Sequence, residues 1–219
     1  FINIAEETGL IHHLGNWVID SACTQISILK QQYGSNHCPY ISINVSPLQL
    51  ARLELVNQVR AALTLHNLPG KLLAIELTES ALIENKKIIK QNLAQLRELG
   101  VQIFLDDFGT GYSSLSILQD FPIDVLKIDR SFIIGVDDNN LDSQNLVKAM
   151  IKMAQALNME IVAEGVENLT TYNWLQKENC DLMQGYYFAK PLPEHALQDY
   201  IQQYIASQSF AKISISTVI

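Results

Sequence analysis

Asp106 and Asp107 stand side by side at the end of a short apolar run, Ile103 to Leu105, and lead into a glycine-rich turn and a Ser/Thr cluster, Phe108-Gly109-Thr110-Gly111-Tyr112-Ser113-Ser114. Adjacent carboxylates at the end of a buried strand repel each other and resist desolvation, so they are tolerated where water or cations neutralise them. Taken alone, the pair reads as a solvated turn. Other runs change that reading. Asn44, Glu76, Lys127, Glu164 and Gln184 each lie at or near the C-terminal end of a different apolar run. Singly, Asn44 satisfies a turn, Glu76 pairs with a surface lysine, and Glu164 with Glu167 forms a solvated face. Stability alone does not explain so many polar groups at one end of neighbouring strands, because each costs free energy there unless they share partners. An amide oxygen with several carboxylates is a hard-cation ligand set, suited to Mg²⁺ or Mn²⁺. Lys127, the lone lysine among these acids, is a cation aimed at a phosphate or a metal-bound water.

The elements that must carry these residues follow from periodicity. Residues 9–32 read as an amphipathic helix with Leu14, Val18, Ala22 and Ile26 in line and a stop at Tyr33-Gly34-Ser35-Asn36. Ile41, Ile43 and Val45 alternate with Ser42 and Asn44 as in a strand, and Ser46-Pro47 caps a helix over 47–66. The cycle repeats with strands at 72–78, 102–107, 125–129, 160–166 and 182–188, and helices at 83–99, 113–120, 143–157, 168–179 and 194–205. Crossovers of this length imply parallel strands with helices packed outside them. No G-x-G-x-x-G or phosphate-loop motif follows any strand, which weakens a dinucleotide-binding sheet. Polar residues at the C-terminal strand ends favour a (β/α)₈ TIM-type barrel, the fold class expected here. Six strands leave that barrel two short, and the missing pair is expected before Phe1. The strands at 41–46 and 182–188 are then unpaired edges, and the 219 residues alone are expected to aggregate or dimerise through them. Residues 1–205 make up the domain, and 206–219 a tail of weak strand character.

Composition bounds the partners. The chain is 48% hydrophobic and 17% charged, and Lys+Arg 15 against Asp+Glu 23 gives a net charge of −8, which offers no general attraction for DNA, RNA or anionic lipid. Phosphate ligands therefore need local help from metal ions. Cys23, Cys38 and Cys180 show no C-x-x-C spacing and read as free thiols of a cytoplasmic protein. The five histidines have no metal-binding spacing, and no apolar run reaches the ~18 residues of a membrane span. Phe1 opens inside a helical pattern, so the chain reads as a piece of something longer.

Glu-Leu-Thr-Glu-Ser (76–80), Asp-Asp-Phe-Gly-Thr-Gly-Tyr-Ser-Ser-Leu (106–115), Lys-Ile-Asp-Arg-Ser-Phe (127–132), Ala-Glu-Gly-Val-Glu (163–167) and Gln-Gly-Tyr-Tyr-Phe-Ala-Lys-Pro-Leu-Pro (184–193), in this order, resemble the EAL family of bacterial cyclic di-GMP phosphodiesterase domains. The resemblance implies cleavage of one phosphodiester bond of cyclic di-GMP to give linear pGpG with two Mg²⁺ or Mn²⁺ ions. By it, Asn44, Glu76 and Asp106 hold one ion, and Asp106, Asp107 and Glu164 the other. Lys127 positions the attacking water, Glu164 assists as base, and Glu167 supports it. Gln184 reaches the water or phosphate, and Gly185, Phe188 and Pro191 line the substrate groove. Glu79 matches the glutamate that tethers the loop after Asp107, through which the family's homodimer is expected to form. The parent protein is expected to carry an upstream sensory or GGDEF-type domain and could be membrane-anchored. The naming tripeptide Glu-Ala-Leu is absent from these residues and is expected upstream. If it is replaced there, the alternative is an inactive cyclic di-GMP receptor or a protein-interaction module. Without it, the 219 residues alone are expected to lack diesterase activity.

Overall fold

The computed structural model describes residues 1–111, 115–137, 140–206 and 214–216. In chain order the elements are α1 (Ile2–Glu7), α2 (Ile11–Tyr33), β1 (Tyr40–Asn44), α3 (Pro47–Leu50), α4 (Leu53–Leu65), β2 (Leu73–Thr78), α5 (Lys86–Glu98), β3 (Gln102–Phe108), α6 (Leu115–Asp120), β4 (Val125–Ile128), α7 (Arg130–Asp137), α8 (Leu141–Ala156), β5 (Glu160–Glu164), α9 (Leu169–Lys177), β6 (Leu182–Gln184), α10 (Glu194–Ala206) and β7 (Ser214–Ser216). Two compact units divide the chain: one runs from Phe1 to Lys127 and includes β7, and the other starts at Ile128.

In the first unit the strand order is β4-β3-β2-β1-β7. β1 and β2 pair in parallel with Asn44 opposite Glu76, and β2 and β3 pair in parallel with Thr78 opposite Asp106. Parallel strands covered by helices are apolar throughout, and Leu73, Ala74, Ile75, Ile103, Leu105, Val125 and Leu126 are fully buried here. Asp124, one residue before β4, accepts the Ile103 amide at 2.9 Å and is held by Arg97 at 2.9 Å, which pins the start of β3. The second unit repeats the device: Asp181, one residue before β6, accepts the Ile161 amide of β5 at 3.0 Å. There β5 and β6 pair in parallel with Glu164 opposite Gln184.

The exits from α4, α5, α8 and α9 share one geometry. Asn67, Gly100, Asn158 and Asn179 each adopt a positive φ. The next amide in each case, that of Leu68, Val101, Met159 or Cys180, donates to the carbonyl five residues back, of Leu63, Leu96, Ala154 or Leu175. This is the Schellman closure, in which only Gly or Asn takes the left-handed position cheaply. The residues on both ends of each closing bond are apolar and buried, which supplies the hydrophobic contact that accompanies the motif.

Several expectations are corrected. The helix over 47–66 is two helices, because Asn92 Nδ2 donates to the Leu50 carbonyl at 2.8 Å and takes the acceptor that a continuous helix would use. The helix over 83–99 starts at Lys86, since Asn85 is left-handed with φ 51°. The strand over 160–166 stops at Glu164 before Gly165 with φ +74°, and that over 182–188 stops at Gln184 before a turn closed by the Phe188 amide on the Gly185 carbonyl at 3.0 Å. α7 has no counterpart in the periodicity, although its cap is local: Asp129 accepts the Ser131 amide at 2.9 Å. The edge of β1 is not bare: β7 pairs with it in parallel, Ile41 opposite Ile215. Residues 113–114, expected to open the helix at 113–120, lie outside the described residues.

Candidate active site

In the first unit the candidate residues sit at the C-terminal ends of β1 to β4. Asn44 ends β1 and is exposed. Glu76 in β2 and Lys127 in β4 are almost fully buried, with 2% and 3% of their surface accessible. The Lys127 ammonium donates to Glu76 Oε2 at 2.7 Å and lies 2.9 Å from Asp106 Oδ1 in β3. One cation between two carboxylates leaves a net negative charge in a largely desolvated place, an arrangement that costs free energy unless something else shares it. Glu76 and Asp106 both bring carboxylate oxygens to this place, and Asn44 stands opposite Glu76 in the register. These hard oxygen donors fit a divalent cation.

Asp107 is exposed and left-handed, with φ 55°. An aspartate tolerates that region better than most residues, and strain of this kind collects at functional turns. Its amide donates to Asp106 Oδ1 at 3.1 Å, and its carbonyl accepts the Thr110 amide at 3.2 Å and the Thr110 hydroxyl at 2.9 Å. Glu79, buried beneath the turn, accepts the Gly109 amide at 2.8 Å. A Cβ at Gly111 would stand 3.1 Å from Glu79 Oε2, so the chain passes close over this carboxylate. Residues 112–114 of the same loop lie outside the described residues.

In the second unit Glu164 ends β5, half-buried, and Gln184 ends β6. The residues after them interlock: the Val166 amide donates to the Gln184 carbonyl and the Tyr187 amide to the Val166 carbonyl, both at 3.0 Å. Gly185 is required there, because a Cβ would lie 2.1 Å from the Val166 oxygen. Glu167 pairs with Arg130 at 2.7 Å. Phe188 packs edge-on against Tyr187 and Tyr172, whose rings stack with centroids 5.3 Å apart, and Lys190 stands 5.6 Å above the Tyr186 ring. Pro191 follows, exposed.

Sequence reasoning passed over three neighbours of these residues. Tyr172 carries no signal beyond its place in α9. Asp129 and Arg130 lie inside a quoted motif, and the Asp-x-Ser cap was the available clue. Burial pushes the Asp129 carboxyl up, but hydrogen bonds from the Ser131 hydroxyl and amide and the Arg130 amide outweigh it and hold the group below the usual range.

The family model that matches this chain is the EAL domain, over residues 1–191, and the chain belongs to that family. It is 40% identical over 204 residues to the cyclic di-GMP phosphodiesterase NbdA of Pseudomonas aeruginosa, covering 93% of this chain and 26% of that protein. It is also 40% identical over 205 residues to the cyclic di-GMP phosphodiesterase PdeR of Escherichia coli, covering 94% of this chain and 30% of that protein. The chain thus spans between a quarter and a third of these relatives. Among solved structures, the P. aeruginosa MucR phosphodiesterase in complex with c-di-GMP is similar with a TM-score of 0.82 and 40% identity, over 90% of this chain and 78% of that one. The Mycobacterium smegmatis DcpA EAL domain gives 0.82 at 35% identity, over 88% of this chain and 86% of that one. The expected fold class stands: the chain has the α/β, TIM-like fold of EAL domains. No helix among the described residues is long and apolar enough to cross a membrane.

Proposed function

We propose that this domain hydrolyses cyclic di-GMP to linear pGpG as the output module of a bacterial signalling protein. The observation that carries the reading is Lys127 held between Glu76 and Asp106 in a chain 40% identical to named cyclic di-GMP phosphodiesterases. Asn44, Glu76 and Asp106 are the ligands for one divalent cation, and Asp106, Asp107 and Glu164 for a second, with Mg²⁺ or Mn²⁺ suited to such oxygens. Bound cations supply neutralisation of the phosphodiester charge and a more acidic water.

The chain's own groups do the rest. Lys127 donates to the attacking water and orients it, its ammonium held by the two carboxylates. Glu164 accepts the water's proton, and Glu167 supports that segment. The Gln184 amide donates to the water or a phosphate oxygen, and Gly185, Phe188 and Pro191 line the nucleotide groove. Glu79 tethers the loop after Asp107, through which two copies pair. The 39% sequence identity to MucR, named a bifunctional diguanylate cyclase and phosphodiesterase, supports a GGDEF-type or sensory partner domain in the parent protein. Free thiols at Cys23, Cys38 and Cys180 suit a reducing, cytoplasmic compartment.

The test is hydrolysis of cyclic di-GMP by the full-length protein with Mg²⁺ or Mn²⁺, followed by chromatography of pGpG. Glu164→Gln and Lys127→Ala should each lower turnover about a hundredfold or more. Tight nucleotide binding without product would assign a receptor instead, and no binding an interaction module.

A further inference from the structure

Arg130 opens α7 directly after the capping residue Asp129, whose carboxylate holds the Ser131 amide at 2.9 Å. Its methylene stem lies across Gly165. A Cβ added at that glycine would stand 2.2 Å from Arg130 Cγ and 2.8 Å from Arg130 Cβ, and φ at Gly165 is +74°. Its guanidinium then reaches Glu167 at 2.7 Å. The segment that follows Glu164 is therefore held from two directions, by Arg130 over Gly165 and Glu167, and by the Gln184–Tyr187 backbone around Val166.

The ion pair cannot be there for stability, because its side chains are 55% and 45% exposed and such pairs contribute little. The glycine tells more. Space was surrendered at residue 165 so that an alkyl stem could lie against the backbone next to Glu164. We propose that Arg130 is a positioning residue for Glu164, clamping the 165–167 turn so that the carboxylate keeps one direction. This rests on the reading of Glu164 as the proton acceptor, and it deepens that reading. Displacing a reacting group by about 1 Å costs about a hundredfold in rate, so a clamp without substrate contact acts on kcat.

The experiment uses the full-length protein and compares Arg130→Ala, which removes stem and charge, with Arg130→Lys, which keeps an alkyl stem and a cationic donor group. Steady-state hydrolysis of cyclic di-GMP is measured alongside amide exchange of the 164–167 segment and the melting temperature. Support is a kcat lowered about tenfold or more in Arg130→Ala with KM within about twofold, faster exchange at 164–167, unchanged melting and substantial recovery in Arg130→Lys. A raised KM at unchanged kcat would make Arg130 a substrate ligand and overturn the proposal, as would unaltered exchange. If the wild-type protein turns over no cyclic di-GMP, the functional reading fails. The exchange comparison still decides the clamp, faster exchange supporting it and equal exchange overturning it.

Discussion

Lys127 and Glu76 form a buried ion pair that spans the strand between them: Glu76 is in β2, Lys127 in β4, and the ammonium reaches Glu76 Oε2 at 2.7 Å past β3. Pairs drawn from alternate strands are what layered side-chain packing over parallel strands produces. Removing the lysine takes away the buried cation that Glu76 and Asp106 share. Lys127→Met should destabilise the fold by about 3–5 kcal/mol in urea unfolding, and adding Glu76→Gln should recover part of it.

Glu79 links the turn after Asp107 to the 3₁₀ segment Glu79–Leu82 through the Gly109 amide. A hydrogen bond to a charged acceptor contributes about 1.5–3 kcal/mol, but here the loss falls on a local turn. Glu79→Gln should accelerate amide exchange at 109–111 and reduce turnover while global melting changes little. Unchanged exchange would show that the turn stands without the carboxylate.

Burial pushes the Cys180 thiol up to about 12 and those of Cys23 and Cys38 up to about 11, from 9.0. The folded state holds these protons more tightly than the unfolded one. That contribution is fully present below pH 9 and is lost as pH rises through 11 to 12. Native protein should react slowly with a disulfide reagent at pH 8, and Cys180→Ala should flatten the alkaline fall in stability followed by circular dichroism.

Asn92, 2% exposed, donates to the Leu50 carbonyl where α3 ends. Asn92→Leu leaves that acceptor unpaired and should cost about 1–3 kcal/mol in chemical denaturation. A neutral result would mean that α3 and α4 merge and recover the bond.

β7 covers the β1 edge with a short parallel pairing from Tyr40–Ser214 to Ser42–Ser216. Deleting residues 207–219 should uncover unpaired strand groups and increase self-association, read by light scattering against the intact chain. Equal scattering would show that the edge is protected by other means.

The strand and helix alternation was legible because apolar runs of strand length alternate with stripes at 3.6-residue spacing, and the acids fell at run ends where the eye could find them. What escaped the sequence depends on contacts between distant residues. Asn92 breaking the 47–66 helix is a bond over 42 positions. The stop after Gln184 comes from the Val166 backbone approaching Gly185. Lys127 was read as aimed at a ligand, and the structure shows it already engaged by Glu76 and Asp106, a pairing that no local pattern encodes. The tail's weak strand character was legible, but its pairing with β1 joins residues more than 170 positions apart, which no local pattern announces.

The shared helix exits have an evolutionary consequence. Each one, at Asn67, Gly100, Asn158 and Asn179, closes its helix using only residues within six positions of itself. Such a joint carries its own instructions, so a strand–helix unit can be duplicated, grafted or lengthened without retuning the others. Lineages that vary the chemistry at the opposite strand ends can do so on a backbone whose couplings are already standardised.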